Sequence, residues 1–508
     1  MKRRQFLQFG AAGLGAAICP LGVSSGNGLS WQQSFNQSLG TRSDLLGFRG
    51  IQEEELKDDD VHVEGKIPGE LNGVLYRNGP ARHEIGDFRY RHWFDGDGMI
   101  QSFRLQNGKV DHHGRMIQTR KYQEEKAAGR ALYPGFGSHP PDAQNVTSAD
   151  ELSTANISVL VHHGELLALW EAGSAHVIDE RSLETKGLKH WSGESRGLPF
   201  SAHPRVEPDG TLWNFGYASS FGALILWHIS ANGRLLRNGV IPLEHMGMPH
   251  DFIVTSKHIV IMLPPFHFEP ESGDNFLDAH HWKPERPTQL LIVDKNNFEN
   301  YQYAELPAQW VFHFGNGWED RDGMIHFDVP RATDPGTMTH FFRNIMEGRM
   351  DISPTDSIHH GYRINTKTGK VEEEALVADT LITGFPVIDH RISTRQYRQV
   401  ICLGSKRTST SASVLFDSVV KLNVESGNYD IYTYPDHLIP EEHLFVPAPG
   451  SNPEAEGWII GTSLDYVAKQ TKLSVFHANA LMNGPIAVAT LPYAIPFGLH
   501  GKFHQHCV

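Results

Sequence analysis

Cysteine is scarce in this chain: three residues in 508 (Cys19, Cys402 and Cys507), with no CxxC pair among them. That scarcity excludes a disulfide framework or a zinc–thiolate cluster as the basis of the fold. Long hydrophobic runs are also missing, since no internal stretch approaches the roughly 20 apolar residues of a spanning helix. Basic residues are outnumbered, Lys and Arg 45 against Asp and Glu 59, giving a formal net charge of −14. Such a balance argues against nucleic acid as a partner, and against anionic lipid held by bulk electrostatics. What remains, 39% hydrophobic and 20% charged, is the composition of a globular chain with ample core.

From about residue 60 onward the chain reads as short strands and frequent turns. ISVLVHHGELLALWE (157–171) is a hairpin turning at His163-Gly164, and 211–218, 223–243, 258–263, 289–297 and 419–434 repeat the theme. Strands of this length separated by NG, SG, DG or GK turns point to an all-β sandwich, barrel or propeller. Some 450 residues without a composition break exceed a sandwich and suit several four-stranded blades, divergent because no WD-type repeat is visible. Helical patterns are confined to 334–350 and Tyr122–Leu132, expected to cap one face.

Four of the 30 histidines stand in distinctive phrases: His203 in SAHPRVEPDGTLW, His250 in MPHDFIVTSKHIVI, His313 in FHFGNGWED and His500 in PFGLHGKFH. Their separations of 47, 63 and 187 residues fit no finger or helix motif. A propeller resolves this, because inward side chains from several blades meet on the axis. Four neutral imidazoles suit iron, copper, zinc or nickel.

The N-terminus reads as a targeting signal. Lys2-Arg3-Arg4 precedes an apolar stretch from Phe9 to Val23 and then Ser24-Ser25-Gly26, which predicts a twin-arginine-type signal over residues 1–28. Export to the periplasm or thylakoid lumen follows, by a route that carries chains already folded around a metal. Residues 29–58 are expected to be an extension and 59–508 a single propeller domain. Removing the signal leaves Cys402 and Cys507, free to pair or to stay reduced.

Taken with IPGELNGVLYRNGP (67–80), HWFDGDGMIQSF (92–103), TANI (154–157), LLALWEAG (166–173) and LFVPAPG (444–450), the four histidine phrases resemble the carotenoid cleavage oxygenase family, in order along nearly 90% of the chain. The resemblance implies a seven-bladed β-propeller capped by loops and helices over an axial metal site. It implies one Fe(2+) per chain, held by His203, His250, His313 and His500, and dioxygen-dependent cleavage of a C=C bond into two carbonyls. The implied partners are an apolar polyene (a carotenoid or apocarotenoid) and O2, with peripheral membrane contact for substrate uptake.

In that family glutamates receive the second N–H of three ligand histidines. Glu171 and Glu442 match two such positions, with His443 where proline is usual, while Gly384 stands at the third. Water or a carboxylate such as Asp389 would then be the acceptor, or one histidine would be held less firmly. Ile157 takes a place where relatives carry threonine, and implies an apolar wall against one coordination position. Stilbene-cleaving relatives carry a lysine where this chain has Trp170, and a tyrosine whose approximate counterpart is Met116. A polyene is therefore the expected substrate, with a stilbenoid or a non-catalytic carotenoid-binding role as the alternatives.

Overall fold

A computed structural model describes residues 29–407 and 414–505. Seven sheets of four or five strands make the seven blades of a β-propeller, and two short hairpins are added to them. Blade I contains Glu55–Asp58, Gly73–Arg82, Asp97–Gln106, Lys109–Met116 and the C-terminal strand His500–Gln505. Blade II begins at Ser158–His162, blade III at Arg205–Val206 and blade IV at Phe252–Val254. Blade V begins at Trp310–Val311, blade VI at Leu381–Val387 and blade VII at Leu438–Pro447.

The ring closes twice. His500–Gln505 pairs antiparallel with Gly73–Arg82, placing Asn78 opposite His500, and His62–Gly65 adds to Ala487–Thr490 in blade VII. Each seam joins the two ends of the chain, so the first and last blades are held together by strand pairing. Burial falls from the inside outward: Leu438–Pro447 is almost wholly buried, whereas Asn297–Leu306 at the rim of blade IV is mostly exposed.

Local chemistry explains the hairpins. His163 and Gly164 both adopt positive φ (49° and 71°), as do Asn107 and Gly108 (53° and 77°), the combination a two-residue turn between twisted strands requires. The segment 223–243 is likewise a hairpin, Ala223–Ile229 with Leu235–Pro242, turning at Gly233.

The helix expected over 334–350 is present as a π-turn, Thr337–Phe341, running into Phe342–Glu347. The one expected over Tyr122–Leu132 is shifted to Arg120–Ala128. Thr119 caps the Tyr122 N–H at 3.1 Å, and Gly129, left-handed at φ 63°, stops the helix before Leu132. This helix supports the body rather than covering it: buried Lys121 and Glu125 bond each other, Tyr90 and Asp97.

The stretch 29–58 is built into the body. Helix Trp31–Leu39 lies against Phe342–Glu347, Phe48 packs edge-on to Trp93 and Phe497, and Glu55–Asp58 completes blade I. No helix among the described residues is long and apolar enough to cross a membrane. Residues 1–28 and Cys507 lie outside the described residues, and Cys402 is a buried free thiol beside His359.

Candidate metal centre and cavity

Each of the four histidines stands at or beside the start of an inner strand. His203 and His250 precede Arg205–Val206 and Phe252–Val254 by two residues, His313 lies between Trp310–Val311 and Gly317–Glu319, and His500 opens the last strand. Their ligand nitrogens lie within 4.8 Å of one another, and the Nε2 atoms of His203 and His250 are 3.0 Å apart. Nε2 of His313 is buried with no hydrogen-bond partner. Four converging imidazoles cannot satisfy one another as donors and acceptors, and an orphaned buried nitrogen among them is what a metal ligand looks like without its ion. The group therefore fits a divalent metal.

One arginine ties the floor of this ring together. Arg205, two residues after His203, pairs with Asp251 at 2.6 Å and donates to the carbonyls of Phe252, Phe314 and Gly315. Asp251 in turn accepts from the Phe314 N–H at 2.8 Å. The residues directly after His250 and His313 are thus locked to the short strand that follows His203. The signal was present in the phrase HPR but not readable, because its partners belong to two other blades.

Carboxylates back two of the ligands. Nδ1 of His250 is 3.2 Å from Glu171, and Nδ1 of His500 is 2.7 Å from Glu442, whose other oxygen accepts from the Gly501 N–H at 2.7 Å. Glu442 is aimed by an irregularity between Pro440 and His443 that interrupts the strand's register. Its neighbour Glu441 was not singled out in the sequence. It is buried, pairs with Arg77 at 3.2 Å and accepts from the Gly498 N–H at 2.6 Å, fixing the approach to His500. His443, in the place of the usual proline, is satisfied by Tyr434 and the Glu441 carbonyl.

Burial, then the neighbouring imidazoles and Arg205, holds the pKa of His203 and of His313 well below the usual histidine value. Burial pushes His250 the same way, but the Glu171 carboxylate and its hydrogen bond outweigh it and leave that pKa raised.

The profile of the retinal pigment epithelial membrane protein family matches residues 50–505. The chain belongs to this family of carotenoid oxygenases. Among its relatives are the apocarotenoid-15,15'-oxygenase of Synechocystis (30% identical; 87% of this chain, 92% of the relative) and resveratrol cleavage oxygenase 1 of Aspergillus fumigatus (26%; 87% and 91%). A third is the carotenoid 9,10(9',10')-cleavage dioxygenase 1 of Phaseolus vulgaris (26%; 90% and 89%). Two solved structures of Synechocystis apocarotenoid oxygenase superimpose with TM-scores of 0.83 and 0.82 at 27% identity, covering 92% and 91% of this chain and 99% and 98% of theirs. The second is cobalt-substituted.

A cavity of about 750 Å³ opens onto the site. His250, His313 and His500 line it with Phe94, Phe136, Phe276, Phe312, Phe342, Trp170 and Trp310. Ile157 lines it too, tied to the ligand strand because its carbonyl accepts from the His500 N–H at 3.2 Å. Trp170 contributes a face, its Nε1 buried without a partner. Tyr217, which sequence reasoning passed over, reaches the cavity wall. Burial, reinforced by the Glu171 carboxylate, raises its phenol pKa well above the usual value.

Two expectations are corrected. Met116 is not part of the cavity, but is buried in blade I with Ala81, Met99 and Tyr122. Asp389 is not the acceptor for a ligand histidine: it pairs with Arg391 at 2.7 Å and accepts from the Glu454 N–H, which uses both its oxygens. Around Gly384 the structure places the rings of Phe385 and Phe416 instead.

Proposed function

We propose that this protein is an iron(II)-dependent dioxygenase that cleaves one C=C bond of a carotenoid or apocarotenoid with O2, giving two carbonyl products. His203, His250, His313 and His500 would hold the iron, and bound iron would supply the dioxygen-binding position and the redox chemistry. The observation that carries this reading is the convergence of four imidazoles, three of them (His250, His313 and His500) on the wall of an apolar cavity.

The chain's own residues then have distinct tasks. Glu171 and Glu442 orient His250 and His500 by accepting at Nδ1, leaving Nε2 as the ligand atom, and they offset the charge of a divalent ion. Ile157 keeps water from one side of the centre. The phenyl and indole walls hold a polyene without offering it polar partners, in a volume inside the range of about 300–1,000 Å³ usual for ligand pockets. Trp170 stands where a stilbenoid's phenol would need a donor or acceptor. Burying such a hydroxyl unpaired costs about 1–3 kcal/mol, or roughly 5- to 150-fold in binding. The stilbene-cleaving relatives are the reason to keep the alternative in the test. Iron-loaded protein is incubated with a panel of carotenoids, apocarotenoids and stilbenes, and the products are identified by mass. A polyene is expected to have the highest kcat/KM, and faster turnover of resveratrol-like compounds would replace this reading with the stilbenoid one.

Export by the twin-arginine route belongs to the same proposal, since a chain carrying a metal gains from folding before it crosses. It is tested by replacing Arg3-Arg4 with Lys-Lys and following the protein in periplasmic fractions.

A further inference from the structure

The four imidazoles are not supported alike. His250 and His500 each rest on a carboxylate, whereas no carboxylate backs His313 among the described residues, and its buried Nε2 has no hydrogen-bond partner. In place of a partner, the Phe385 ring lies 5.1 Å from His313, tilted by 37°, and 5.2 Å from His500. Phe416 meets Phe385 edge-on at 6.4 Å. Phe385 is held at φ 52°, a region that non-glycine residues enter only when their surroundings impose it. A Cβ added at Gly384 would come within 2.5 Å of Phe416 Cζ, so the space that a side chain at 384 would use is filled by that ring.

We propose that Phe385 and Phe416 position His313 by aromatic packing in place of a hydrogen bond, and that His313 is in consequence released more easily than His250 or His500. The inference rests on the metal-centre reading above. Packing fixes the plane of an imidazole but not its tautomer, because no acceptor selects which nitrogen carries the proton. Two carboxylates against a divalent ion also leave the ligand set formally neutral, whereas a third, placed behind His313, would make it anionic.

Titration of the metal-free full chain with Co(II), read by its visible absorption, tests this without turnover. His313→Ala is expected to lose at least about tenfold less affinity than His250→Ala or His500→Ala. Phe416→Ala should weaken Co(II) binding by about 2- to 10-fold, the weight of one aromatic pair, and alter the cobalt bands. Phe416→Tyr, which keeps the packing, should restore both. Gly384→Glu alone is expected to lower Tm through its clash with Phe416. Gly384→Glu with Phe416→Ala gives the carboxylate room, and should bind Co(II) about 10- to 100-fold more tightly than Phe416→Ala alone. Unchanged affinity and bands in both Phe416→Ala and Phe385→Leu would overturn the proposal, as would a Gly384→Glu protein with parental Tm. A parent chain that binds no Co(II) at all defeats the metal centre itself, a different failure from parental binding in the two phenylalanine variants.

Discussion

In blade VI the inner strand slips register against its neighbour between Gly384 and Val387, and in blade VII between Pro440 and His443. Both irregularities sit beside the ligand ring, and both re-aim side chains toward it. In blade VII the turned-in residues are Glu441 and Glu442, buried carboxylates committed to Arg77, Gly498, His500 and Gly501. In blade VI they are Gly384 and Phe385, and the neighbouring ring is Phe416. The same backbone device thus delivers charge on one side of the centre and packing on the other. Backbone geometry decides which positions face the metal, and the side chains placed there decide how tightly each imidazole is held.

Removing the floor common to both sides should have the largest effect. Arg205→Ala leaves Asp251 buried without its partner and frees the carbonyls of Phe252, Phe314 and Gly315, and we expect a loss of about 3–5 kcal/mol in denaturant unfolding. Arg205→Lys cannot reproduce the four-way fork and should recover little of it. An unfolding curve for Arg205→Ala that overlays the parent would remove the clamp from the account.

Next in size is to make blade VII resemble blade VI. Glu442→Gln should reduce metal affinity about 10- to 100-fold, and Glu171→Gln less, because its contact with His250 is longer (3.2 Å against 2.7 Å) and lacks the second backbone donor. Chelator competition ranks the two, and a larger loss at Glu171 would reverse the comparison.

Acid separates the ring from the rest of the body. His92, His112 and His443 are pushed down to about 3, and His176, His280 and His390 to about 4, all by burial first. Their folded-state pKa lies below the unfolded value of 6.5, so the unfolded chain binds protons that the folded chain refuses. The stability this confers is complete above pH 6.5 and is lost as pH falls toward 4 and then 3. Asp95, raised by burial from 3.8 to about 6, acts oppositely, its contribution being present at low pH and lost as pH rises through 6, but it is one group against six. Thermal unfolding of metal-free protein should therefore decline steadily between pH 6.5 and 4, and a flat profile would contradict the burial of these imidazoles.

The smallest effect is expected at Ile157. Ile157→Thr keeps the backbone bond to His500 and changes one wall group, so kcat/KM should stay within about tenfold of the parent, well short of the roughly 10- to 100-fold expected for a lost carboxylate. A larger fall would move Ile157 from the wall into the chemistry.

Much of the site was legible because its residues lie in compact phrases. The four histidines, Glu171 and Glu442 are marked by their immediate neighbours, and the hairpins by glycines that only tight turns require. What was not legible depends on register between blades. Arg205 acts through residues of blades IV and V, and Phe416, just before the strand Ser418–Asn423, meets Phe385 only once blade VI is assembled. Met116 was misplaced since the residues lining the cavity nearby come from the long connection between blades I and II, where spacing carries little information. Asp389 looked available in sequence, yet Arg391, two residues on, consumes it.

The most direct test of the central claim is anaerobic titration of the metal-free chain with Fe(II), with iron counted after desalting. The account predicts one iron per chain in the parent and none retained in His250→Ala. Stoichiometric iron that survives the loss of any two of His203, His250, His313 and His500 would contradict it.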